Sequence, residues 1–234
     1  MIRIKQLLPV ILISVLVAAC TTMPPEIDDK YLTEKNEAQL KIISDLEQKI
    51  IDKNKEKQLV EKETNELAKL SVKTEEEIKL LKKENTVLKD QIYLYEKNKD
   101  AVNLESKKKQ LEVNESMLSK KSSLLRYQMA EKKLSEEDLD LKNAELALLV
   151  AELGFEKSKI ATEYRDKNEP EKPDKDQNFF TSLFNKKDPK DKYGYKKYGE
   201  YMDKKKQEKV KAEAEYREAE KQFLNVKKSM EGAK

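Results

Sequence analysis

From Glu26 to Leu153 the chain runs for about 128 residues without a glycine or a proline. Turns draw heavily on those two residues, so a gap of this length leaves helix or disorder. Disorder driven by net charge does not suit this chain. Its 49 Lys and Arg nearly cancel 46 Asp and Glu, for a formal net charge of +3, and its apolar residues recur at regular spacing. Ala, Glu, Lys, Leu and Arg account for about 123 of the 234 residues, the composition of long helices and coiled coils. A 37% apolar share with 6% aromatics is thin for one globular core of this length.

Periodicity selects helix. With Ile43 as position a of a heptad, the a positions read Ile43, Ile50, Lys57, Thr64, Ser71, Ile78, Asn85 and Ile92. The d positions read Leu46, Lys53, Val60, Leu67, Thr74, Leu81, Leu88 and Tyr95. Ten of the sixteen are apolar, with a polar middle. A second line runs through Leu104, Leu111, Leu118, Leu125, Lys132, Leu139, Leu146, Leu153 and Ile160, eight of nine apolar. Only a helix gathers a seven-residue spacing onto one stripe. Its expected companion positions are weaker, with Met129, Val150 and Tyr164 apolar.

The two lines differ in phase by two residues, which is neither a stutter nor a stammer and argues against one continuous supercoil. A turn at Asn98-Lys99-Asp100 resolves the mismatch, since Asn and Asp tolerate turn conformations. The chain is therefore expected to be all-α, with a long antiparallel, coiled-coil-like helical hairpin over 30–167 that turns near 98–100. Each arm would measure roughly 100 Å at 1.5 Å per residue. Ile at a, Leu at d and Asn85 at a also match parallel dimers, so a homodimer of hairpins packed side by side stays open. A further stripe, Tyr127, Leu134, Leu141, Leu148 and Phe155, lies nearly opposite the leucine line. Around residues 144–151 the helix is apolar almost all round and needs cover.

The first twenty residues bear on compartment. Arg3 and Lys5 precede a mostly apolar run from Leu7 to Ala19, too short to span a bilayer comfortably and suited to a signal-peptide core. It ends in Val17-Ala18-Ala19-Cys20, small residues directly before the only cysteine. This resembles a bacterial lipoprotein precursor with its lipobox. The resemblance implies removal of residues 1–19 and lipidation of Cys20, with diacylglycerol on sulfur and an acyl chain such as palmitate on the new amine. Residues 20–29 then form a lipidated tether to the membrane. Thr21 in place of Asp after the cysteine implies, by the common sorting pattern, the outer membrane, facing the periplasm or the surface. Loss of Arg3 and Lys5 leaves 47 cations against 46 anions, so overall charge lends no support to a polyanion partner.

The C-terminal third carries the least generic residues. Asn168 to Gln177 is polar with two prolines, ending the second arm. Phe179, Phe180, Leu183 and Phe184 would share one face of a short helix, either capping the apolar end of the hairpin or presenting an anchor to a partner. Residues 186–201 hold six lysines with Tyr193, Tyr195, Tyr198 and Tyr201. Residues 168–200 are expected to form a linker and a Tyr- and Lys-rich loop, and 201–231 a shorter helix packed near the base of the hairpin. Val210, Tyr216, Phe223, Val226 and Met230 would lie roughly on its inner side. The tyrosines and Phe179, Phe180 and Phe184 form the candidate partner interface, because tyrosine is enriched at protein interfaces. Nucleic acid is not an expected partner in an envelope compartment, although aromatic and basic residues could stack on bases.

The absences exclude much chemistry. With no His there is no imidazole base and no Ser-His-Asp or Cys-His machinery. One Cys makes neither an intramolecular disulfide nor a Cys-rich zinc site. Gly194 and Gly199 have the outer spacing of a phosphate loop, but Glu200 stands where Lys is needed. No enzyme, cofactor or metal site is expected. The expectation is a lipid-anchored envelope protein that serves as spacer, scaffold or assembly partner. Its Lys- and Asn-rich helical character is also similar to spirochaete envelope proteins, including periplasmic flagellar sheath and coiling proteins. That similarity implies a filament coat or accessory role, and a module binding peptidoglycan or a surface ligand through the tyrosines is the other alternative.

Overall fold

The computed structural model describes residues 24, 27, 29–32, 36–168 and 194–232. A 3-10 turn at Asp29–Leu32 precedes three helices: α1 (Glu37–Asn98), α2 (Ala101–Asn168) and α3 (Tyr195–Glu231). The described residues contain no strand. The long helices α1 and α2 pack as an antiparallel hairpin and α3 packs on α2. The third helix begins at Tyr195, six residues before the expected start, so Tyr195 and Tyr198, expected in a loop, join Tyr201 in its opening turns. No helix among the described residues is long and apolar enough to cross a membrane.

None of the sixteen a and d positions counted from Ile43 is exposed. That includes Lys53 and Lys57, whose alkyl stems can lie along a seam while the ammonium reaches water. The leucine line of α2 is likewise half-buried or buried throughout. Its companion line differs from the expected one. Met129 is 59% exposed, and the buried neighbours stand three residues after each leucine, at Asn114 and Gln128. The cause lies across the seam: the a line of α1 is polar at Thr64, Ser71 and Asn85, and buried polar groups require polar partners.

The chain divides into two compact units. One comprises the described residues up to Asp52 together with 145–168 and 194–208. There Asn36 caps α1 reciprocally with Gln39: the Gln39 amide donates to Asn36 Oδ1 at 2.8 Å, and the Asn36 amide donates to Gln39 Oε1 at 3.1 Å. This capping box satisfies two N-terminal donors. Gln39 Nε2 also donates to Glu163 on α2 at 2.8 Å. Leu32, Ile43 and Ile160 form the buried core, with Ile27 and Leu153 packed against it. Lys157 pairs with Glu47, and Tyr31 meets Tyr164 edge-on.

The other unit comprises 53–144 with 209–232. Pairs across α1 and α2 descend one helix as they climb the other: Glu56–Lys142, Thr64–Ser135, Glu77–Lys121, Lys89–Glu115 and Glu96–Lys108. The turn itself is a Schellman cap. The Asp100 amide donates to the Tyr95 carbonyl and the Lys99 amide to the Glu96 carbonyl, the bond pair of that motif. Its left-handed residue is Lys99 (φ 58°), not Asn98. Asp100 then caps α2, accepting from the Asn103 amide at 3.2 Å and from Asn103 Nδ2 at 2.6 Å. These bonds hold its carboxyl below the ordinary value. On α3, Ala212 and Ala219 are buried and Phe223 meets Tyr127 at 5.3 Å. Val210, expected on the inner side, is 64% exposed.

Candidate functional site

The first unit contains the aromatic cluster and the larger surface groove. Ala151, Gly154, Ser158 and Ala161 stand at i, i+3, i+7 and i+10 on α2, which places them on one face. Ala151, Ser158 and Ala161 are 0% exposed. Side chains this small permit close approach by a neighbouring element. Ser158 turns its hydroxyl inward, donating to the Phe155 carbonyl at 2.7 Å.

Tyr198 of α3 occupies the space beside Gly154. A Cβ built on Gly154 would lie 2.3 Å from Tyr198 Cε1 and 2.8 Å from Cδ1, a separation that real atoms do not tolerate. Glycine inside a helix costs about 1 kcal/mol relative to alanine, and here the missing Cβ is what admits the ring. Tyr198 is 4% exposed, and its hydroxyl lies 3.5 Å from the Pro24 carbonyl. Gly194, at φ +73°, supplies the left-handed residue that starts α3, and its carbonyl accepts from the Tyr198 amide at 2.7 Å. One glycine thus aims the first turn and the other receives the side chain.

The other tyrosines are arranged differently. Tyr195, 39% exposed, stacks on Phe155 with centroids 5.0 Å apart and planes 21° apart. Lys159 Nζ sits 4.8 Å from the same Phe155 ring and bonds Glu156 at 2.7 Å. Tyr201 is half-buried beneath Lys205 Nζ at 5.3 Å. The sequence grouping of tyrosines therefore divides: Tyr195 presents a surface, Tyr201 a partial one, and Tyr198 is withdrawn into packing. Cys20, Phe179, Phe180, Phe184 and Tyr193 lie outside the described residues.

A groove of about 400 Å³ opens beside the cluster, with Ile42, Leu46, Phe155 and Met202 as apolar lining and Asp45, Lys49, Glu152 and Glu156 as charged lining. A smaller hollow of about 80 Å³ lies among Tyr31, Asn36, Gln39, Ile160, Glu163, Tyr164 and Lys167. A groove lined by both apolar and charged side chains, as the larger one is, can take an extended or helical segment of another chain. Among the described residues, no group of three or more Cys, Asp and Glu is placed to hold a metal ion. Gly154 and Met202 stand out in the structure but not in the sequence. The available signal was an isolated glycine in a Leu- and Ala-rich helix, which usually marks close packing. No family model matches this chain, and comparison with curated proteins and with solved structures gives no match.

Proposed function

We propose that this chain is a lipid-anchored helical protein of the bacterial envelope, acting as a spacer, scaffold or assembly partner. The observation that carries the anchor is Val17-Ala18-Ala19-Cys20 after a basic start and a short apolar run. The lipid at Cys20 fixes the chain to the outer membrane, facing the periplasm or the surface, and several acyl chains hold far more firmly than one. The scaffold role is supported by two helices of 62 and 68 residues that pack together. A helix of 62 residues is roughly 93 Å long at 1.5 Å per residue, a length useful for spacing. The groove beside Phe155 and Tyr195 favours an envelope or filament subunit as the partner, since it offers apolar and charged contacts together.

In-cell crosslinking from Lys49 and Glu152, on the groove, followed by pull-down tests this reading. Recovery of one envelope or filament subunit, lost on Phe155→Ala and Tyr195→Ala, is the expected result. Recovery of glycan alone would favour the binding-module alternative. Crosslinking no stronger than at an exposed α3 position would count against a scaffold role for this face.

A further inference from the structure

At the closed end of the hairpin, apolar side chains stand in solvent on both sides of the turn. Tyr93 and Leu94 in the last turns of α1 are 65% and 54% exposed, and Val102 in the first turn of α2 is 81% exposed. Within one turn of the reversal, Lys97 and Lys99 are exposed and take no ion pair among the described residues. Of the carboxylates around them, Glu96 is paired with Lys108 at 2.8 Å and Glu105 with Lys109 at 2.9 Å, whereas Asp100 accepts from the neutral Asn103 amide and keeps its charge. Lys97 and Lys99 against Asp100 leave one net positive charge. The reversal therefore carries exposed apolar side chains and a small net positive charge.

The exposed area of the three apolar side chains is on the order of 400 Å², about half of what one partner contributes to a standard protein interface. A pairing of two such tips would be too small to hold. A bilayer sets no such minimum, because interfacial binding grows with buried apolar area and with attraction between lysines and anionic headgroups. Lysine also extends its charge toward headgroups while its stem stays in the apolar layer.

We propose that the hairpin turn docks on an anionic lipid surface, with Tyr93, Leu94 and Val102 entering the headgroup region and Lys97 and Lys99 pairing with lipid phosphates. This stands apart from the Cys20 anchor, since every group involved lies on α1, α2 or the turn between them. The chain contains no tryptophan, so Val102→Trp introduces a single local reporter in the full-length chain. Val210→Trp, at an equally solvent-facing α3 position (64% exposed), is the matched control. Both are mixed with excess phosphatidylcholine vesicles containing about one-third phosphatidylglycerol, with brominated acyl chains as quencher. The expected result is a blue shift and bromine quenching for Val102→Trp only. Adding Lys97→Gln and Lys99→Gln should weaken it roughly 25-fold, about fivefold per lysine, and neutral vesicles should weaken it similarly. Vesicle association without quenching at position 102 would overturn the proposal while leaving the anchor intact. Equal quenching of both reporters would overturn it too. A blue shift that grows with protein concentration without vesicles would replace the lipid with a second copy.

Discussion

Gly154→Ala sets two effects of opposite sign against each other, and the structure says which prevails. In an unhindered helix the change removes glycine's backbone entropy cost and stabilises by about 1 kcal/mol. Here the new methyl would sit 2.3 Å from Tyr198 Cε1. The atom it meets belongs to a rigid ring that is 4% exposed, so relief requires displacing the opening turn of α3 or turning the ring outward. Overpacking of a filled site costs about 1–3 kcal/mol, and exposing a buried aromatic forfeits about 1.5–3 kcal/mol. The net expectation is destabilisation by about 1–2 kcal/mol after the propensity gain. In the Tyr198→Ala background the clash is gone, and the same change should stabilise by about 1 kcal/mol. Denaturant unfolding of the wild type, both single variants and the double variant gives the coupling directly. Hydrogen exchange over 195–205 should rise in Gly154→Ala alone. Stabilisation by Gly154→Ala in the wild-type background would refute the docking of Tyr198 on Gly154.

Lys99 takes a left-handed conformation that glycine adopts freely, so Lys99→Gly should raise stability by up to about 1 kcal/mol in thermal unfolding. Asp100→Ala removes the cap of α2 and should lower it by about 1 kcal/mol. Three heptads along α1 from Thr64 and three back along α2 from Ser135 stand Asn85 and Asn114, both 6% exposed, with Asn85 Oδ1 and Asn114 Nδ2 without a hydrogen-bond partner among the described residues. Because each amide already carries a buried atom without a partner, Asn85→Leu should be neutral or stabilise by about 1 kcal/mol, and Asn114→Leu likewise; a loss of stability on either single change would contradict the unpaired layer. Glu77 and Glu56 are held below the ordinary 4.5, Glu77 first by its bond to Lys121 and Glu56 first by its bond to Lys53, and Asp100 below 3.8 by Asn103. A depressed folded value contributes stability above the unfolded value and loses it as pH falls through the folded one. The melting temperature should therefore be flat above about pH 5 and fall below about pH 4, less steeply in Glu77→Gln.

The register of α1 was legible because a hairpin seam obeys the heptad whatever its polarity. Thr64, Ser71 and Asn85 looked like weak points and proved to be seam positions. The second line of α2 was not legible, since Asn114, Gln128 and Ser135 are recognisable as interior only once the polar residues opposite them are known. The reversal lies between Asn98 and Ala101, and its left-handed residue is Lys99, the one residue of Asn98-Lys99-Asp100 that turn preference does not single out. The start of α3 was obscured by Gly194 and Gly199, which read as loop residues. Gly194 begins the helix, and Gly199 continues it beside Phe155. Of the candidate site, Tyr195 keeps a partly exposed ring stacked on Phe155. The burial of Tyr198 depends on Gly154, forty-four residues earlier, and no local pattern signals such a pairing.

The proposal that this chain is held to an envelope membrane through Cys20 is open to one direct measurement. Cells expressing the wild type or Cys20→Ala are labelled with a palmitate analogue, and the mass of the purified chain is determined. Label is expected on the wild type only, with a mass corresponding to a chain starting at a lipidated Cys20. Equal labelling of the two proteins, or a wild-type chain that retains residues 1–19 and carries no acyl groups, would contradict it.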